Sequence, residues 1–77
     1  MAITWELEQH FEQYRDYKLP TPDGRIKLTI NTEEHKAYIS VVLDFVEGVS
    51  VDVPLPWALA VAQGTDGFIL PTKEPVA

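Results

Sequence analysis

Chemistry needs polar side chains that converge, and few positions in this chain offer them. His10 and His35 are its two imidazoles, and it has no cysteine. A zinc site takes three or four ligands at fixed spacing. Glu6, four residues before His10, and Glu33 and Glu34, beside His35, supply too few donors, so both histidines read as solvated or hydrogen-bonding groups. Nucleophilic catalysis needs a hydroxyl beside a base that a third group orients. Ser40 and Ser50 stand in alternating, strand-like segments with no histidine to pair with them. Paired-carboxylate chemistry needs one acid in an apolar pocket, and although Asp44 and Asp52 are set among apolar residues, alternation puts both on the solvent side. The glycines are isolated turn residues, so no phosphate-cradling loop is present. The expectation is a protein that is not an enzyme and takes no cofactor and no metal.

Two stretches remain that can meet a partner. Glu8, Glu12 and Asp16 follow one another at i, i+4 spacing, and Trp5 falls on the same side if the segment is helical. That makes an acidic face with an aromatic anchor, suited to a basic protein surface. The bland alternative is a solvated helix face with Trp5 folded onto the core. The second stretch holds Leu55, Trp57, Leu59 and Val61 in a run apolar on all sides. It is either an oligomer or partner interface, or a lid that closes the open end of a sheet.

The elements expected to position these residues begin with a helix over 4–18. Thr4 suits its N-cap, Glu6 and Glu8 its first turn, and Ile3, Leu7, Phe11 and Tyr14 form one stripe at helical period. Leu19 to Gly24 reads as a connector with a Pro-Asp-Gly turn. An antiparallel meander then spans 25–53. Ile26, Leu28 and Ile30 share a face. So do Ala37, Ile39, Val41, Leu43 and Phe45, and then Val49, Val51 and Val53, with turns at Asn31–His35 and Glu47-Gly48. Ile39, Val41 and Leu43 are expected in the core under Leu7, Phe11 and Tyr14. A short helix over 56–63, with Gly64 as its C′ residue, or else a buried strand, follows Pro54-Leu55-Pro56. Phe68 to Leu70 offers a fourth strand, and 71–77 reads as a flexible tail. The fold class is therefore α+β in a single domain, 1–77: an N-terminal amphipathic helix on a three- or four-stranded antiparallel meander, with a short C-terminal apolar helix.

Size and charge narrow the function. A chain of 77 residues buries only about 60% of its unfolded surface, and its stability is on the order of 4–11 kcal/mol. With no cysteine to staple it, self-association or a partner is the remaining source of stabilisation. The net charge of −6 opposes binding to nucleic acid or to anionic membranes. No apolar run is long enough to cross a bilayer and no signal-peptide pattern opens the chain, so a cytoplasmic location is expected. The leading expectation is a non-catalytic protein-interaction domain that self-associates or serves as a subunit or adaptor. A different class also fits size and charge: an inhibitor of the kind phages and mobile elements encode, with Glu8, Glu12, Asp16 and Asp23 occupying a basic groove built for phosphates.

Overall fold

The computed structural model describes residues 4–70. Five strands run in sequence order, β1 Glu6–Phe11, β2 Tyr14–Thr21, β3 Gly24–Asn31, β4 Lys36–Leu43 and β5 Val46–Val53, and one helix follows, α1 Leu55–Asp66. Every strand pairs antiparallel with the next, so the sheet is a single meander with β1 and β5 as its edges. The protein is mostly β with a C-terminal helix.

The N-terminal helix expected over 4–18 is not formed. That segment is β1, a turn and the first half of β2. Glu12 sits in the turn at φ 53°, in the left-handed region that ends any helix. A helix would have stacked Glu8, Glu12 and Asp16 as like charges. In the sheet, two of these acids each meet a base on β3: Glu8 pairs with Arg25, and Asp16 lies 3.8 Å from Lys27 Nζ. Glu8 is also the extra residue of a bulge, since the β1–β2 register slips between Leu7 and Gln9. The bulge breaks the alternation of β1, so its apolar residues Leu7 and Phe11 do not follow a strand period. Leu19 to Gly24, read as a connector, is the end of β2 and a Pro22-Asp23 hairpin turn, with Thr21 paired to Gly24.

The meander expected over 25–53 is present as β3, β4 and β5, but its second turn is displaced. Asp44 and Phe45 form a two-residue loop between Leu43 and Val46, with φ 51° and 66°. Gly48, expected in that turn, instead lies within β5, where the register slips between Ser40 and Val42 so that Gly48 and Val49 oppose Val41. Phe68 to Leu70 forms no strand. The helix expected over 56–63 extends to Asp66, because Gly67 rather than Gly64 takes the left-handed cap at φ 78° and donates its N–H to the Gln63 carbonyl. The tail at 71–77 lies outside the described residues.

The core sits between α1 and one end of one sheet face. Tyr17, Leu28, Ile30 and Ala37 of the sheet meet Ala58 and Ala62 of α1, and Trp5, Ile39, Val53, Leu55, Leu59, Val61 and Phe68 pack around them. The two alanines let the helix approach the sheet closely. Trp5 closes the side of this contact by meeting Trp57 edge-to-face, centroids 6.3 Å apart. Ile39 is half-buried, but Val41 and Leu43 are exposed, contrary to expectation. Their strand facing agrees with the alternation. What fails is coverage: a 12-residue helix is about 18 Å long, it crosses only the end of the face carrying Ala37 and Ile30, and none of the other described residues lies over the rest. Leu7, Phe11 and Tyr14, placed over the core by the helical reading, are exposed as well.

Candidate functional site

The face of the sheet turned away from α1 carries a connected polar network. Asp16, buried on β2, accepts a hydrogen bond from the Thr29 hydroxyl at 2.8 Å. Lys27 Nζ stands between Asp16 at 3.8 Å and Glu47 at 3.9 Å, and the Ser40 hydroxyl donates to Glu47 at 2.9 Å. The alternation of β2, β3 and β4 brings these side chains to one face, and the bulge at Gly48 returns Glu47 to the same side. Gln9, Phe11, Tyr14 and Tyr38 complete a shallow hollow of about 200 Å³ over this network. Both carboxylates have a cationic and a hydroxyl partner, so the arrangement holds the strands in register.

The second polar cluster ties α1 to the sheet. Asp66, in the last helical turn, takes an ion pair from Arg15 and a hydrogen bond from the Tyr17 hydroxyl at 3.1 Å, and it accepts from the Phe68 N–H at 3.2 Å. Arg15 lies over the Phe68 ring at 4.1 Å and contacts His10 Nδ1 at 3.2 Å. Burial is the largest influence on the Arg15 guanidinium and opposes its charge, but Tyr17 and Asp66 outweigh it and raise its pKa. Burial likewise pushes the Tyr17 phenol upward, with Asp66 adding to the effect and Arg15 opposing it. These contacts make a clamp.

The residues singled out in the sequence are scattered by the fold. Trp5 packs on Trp57, Glu8 is bound to Arg25 at the β1 bulge, Glu12 stands exposed in the β1–β2 turn, and Asp16 is buried in the network. They do not share a helix face, because no helix is there. In the apolar run, Leu55, Leu59 and Val61 are half-buried against the core while Trp57 is exposed on one side. His10 and His35 lie on β1 and in the β3–β4 turn, and among the described residues no group of three or more His, Cys, Asp or Glu is placed to hold a metal ion. Asp44 and Asp52 flank opposite ends of β5 and do not meet. No helix among the described residues is long and apolar enough to cross a membrane.

A surface that the sequence reading missed is the uncovered half of the helix-side face. Trp57 opens onto a groove of about 350 Å³ with Ile39, Val53 and Pro54. From there Val51, Val41, Val49, Leu43 and Val46 run on toward the β4–β5 turn, all exposed. At its tip stands Phe45, 96% exposed and held at φ 66°. A bulky side chain in the left-handed region is an outlier that Gly or Asn would relieve. The signal was available in the sequence as Leu43-Asp44-Phe45-Val46, but placing the turn at Gly48 hid it. Compared with protein-family models, with curated proteins and with solved structures, the chain has no significant match.

Proposed function

We propose that this domain is a non-catalytic protein-interaction module that works through the uncovered apolar half-face running from Trp57 along Val51, Val41 and Leu43 to Phe45. The observation that carries this reading is Phe45: an apolar ring almost fully in water, in a backbone conformation that disfavours it. Neither folding nor solubility is served by a phenylalanine there, which supports a contact with something beyond the described residues. The polar side chains of the two clusters, Asp16, Thr29, Lys27, Glu47 and Ser40 on one face and Arg15, Tyr17 and Asp66 on the other, are paired with one another, which supports a binding role over a catalytic one. The inhibitor reading rested on acids spaced along a helix, and with Glu8 and Asp16 engaged by Arg25 and Lys27 it has no specific observation in its favour.

The test is purification of the tagged chain from its own cells beside a Val49→Lys variant. A specific protein, a second copy included, retained by wild type and lost from the folded variant supports the reading. An identical set of bound proteins for both chains removes it.

A further inference from the structure

We propose that the hollow on the sheet face turned away from α1 binds one neutral sugar ring, whose hydroxyls bridge Lys27 to Asp16 and Glu47 and whose C–H groups lie against Phe11, Tyr14 and Tyr38. The site goes beyond the interaction reading above and lies on the opposite face of the sheet. The strand register explains why a hollow forms. Gln9, Asp16, Thr29 and Tyr38 are partners in turn across β1 to β4, so their side chains make one row. Thr29 is short and buried, with the longer Asp16 and Tyr38 on either side of it. Phe11 and Tyr14, paired across the β1–β2 turn, stand beside the row. Tyr14 and Tyr38 come from strands two spacings apart, which sets the walls about 10 Å from each other. That width, with a volume of about 200 Å³, takes a single ring and excludes a helix, whose diameter is about 10–12 Å with side chains.

The floor selects the chemistry. Lys27 Nζ stands 3.8 Å from Asp16 Oδ2 and 3.9 Å from Glu47 Oε2, attracted by both carboxylates but beyond hydrogen-bonding distance of either. The other oxygen of each acid is held, Asp16 Oδ1 by the Thr29 hydroxyl and Glu47 Oε1 by that of Ser40, and Thr29 and Ser40 are both buried. The two oxygens that face Lys27 are thereby fixed in direction, with an ammonium of three donors between them. A hydroxyl both donates and accepts, so it can accept from Lys27 and donate to a carboxylate at once. Neighbouring hydroxyls on one ring do this at both gaps, and the Gln9 amide at the rim offers a further donor and acceptor.

A charged ligand does not fit this floor. An anion meets Asp16 and Glu47, and a nucleic-acid backbone is opposed further by the net charge of −6. A quaternary ammonium suits aromatic walls, but here it would share the hollow with the Lys27 ammonium. A wholly apolar ligand would strip water from Lys27 and the acids and give them no partner in exchange. The chemistry that satisfies both walls and floor carries hydroxyls on one side and C–H groups on the other, as a pyranose does. The rings are open to that second side. Phe11 is 59% exposed and Tyr14 37%, and neither belongs to the core.

A single ring in a shallow hollow binds weakly, with a Kd on the order of 1 mM. The same ring can end a glycan or be a free sugar, and two arms read the two sources. One is an array of neutral and acidic glycans; the other is an NMR titration with the methyl glycosides of glucose, galactose, mannose and N-acetylglucosamine. Binding of a neutral sugar in either arm is the expected result, and the arm assigns the source. Phe11→Ala, checked for folding by circular dichroism, should weaken that binding about tenfold or worse. Lys27→Met, where folded, should weaken it comparably. Val49→Lys, on the opposite face, should bind the sugar as wild type does even where it loses a protein partner, so failure of one surface is distinguishable from failure of the other. No neutral-sugar binding in both arms overturns the proposal. So does binding that Phe11→Ala leaves intact, or a preference for acidic glycans or for tetramethylammonium over every neutral sugar.

Discussion

Arg15 on β2 and Asp66 in the last turn of α1, 51 residues apart, form an ion pair that fixes where the helix ends on the sheet. Both side chains are mostly shielded, and the Tyr17 hydroxyl joins them from below at 3.1 Å from the carboxylate. The pair thus has hydrogen-bonding support that an exposed surface pair lacks. Asp66→Ala leaves Arg15 and Tyr17 without their shared acceptor and should cost about 1–3 kcal/mol in urea unfolding. Asp66→Asn, which keeps an acceptor, should cost less. Equal losses would mean that charge, and not hydrogen bonding, holds the helix end.

The same cluster sets an alkaline limit. Burial holds the Tyr17 phenol above the ordinary value of about 10, so the folded state keeps its proton to a higher pH than the unfolded chain does. Its contribution is complete below about pH 10 and is lost as pH rises through the folded pKa. Near-ultraviolet titration should show one of the three tyrosines ionising late, and Tyr17→Phe should remove that late step and flatten the fall in stability above pH 10.

Close approach of α1 to the sheet depends on Ala58 and Ala62, both fully buried. Ala58→Leu should overpack the contact and cost about 1–3 kcal/mol. Ala60→Leu, on the exposed side of the same helix, should leave the melting temperature near that of wild type. A neutral Ala58→Leu would place the helix farther from the sheet.

Two glycines separate close approach from helix propensity. A Cβ at Gly24 would press into the Val42 backbone carbonyl, which cannot swing away as a side chain does, so Gly24→Ala should destabilise. At Gly64, inside α1, a Cβ meets nothing within 4 Å. Gly64→Ala should therefore stabilise by about 0.5–1 kcal/mol in thermal or urea unfolding. Matching signs for the two would contradict the β3–β4 register at Gly24.

On the opposite face, Asp16 and Thr29 are buried and bonded to each other. Asp16→Ala and Thr29→Val should each destabilise, and the double mutant should be less destabilised than the sum, with a coupling of about 0.5–3 kcal/mol. Strict additivity would show that the hydrogen bond contributes nothing.

Local pattern by itself determined β3 and β4 and the apolar rows of the meander, because Ile26, Leu28 and Ile30, and Ala37 and Ile39, alternate without interruption. It favoured a helix after Pro54, because Pro, Ala and Leu carry that preference locally, but a short run apolar on all sides left a buried strand open, and packing of Ala58 and Ala62 on the sheet decides for the helix. It did not determine β1 and β2. Leu7, Phe11 and Tyr14 fit a helical stripe as readily as a bulged strand, and only pairing with β3 decides, since it supplies the backbone hydrogen bonds and the bases for Glu8 and Asp16. The turn at Asp44 and Phe45 was equally illegible, because Phe is a poor residue for a left-handed position and Gly48 a good one. Coverage was decided by tertiary structure alone. Alternation placed Val41 and Leu43 on the helix side, but α1 crosses only the far end of that face and leaves Val41, Leu43 and Phe45 in solvent.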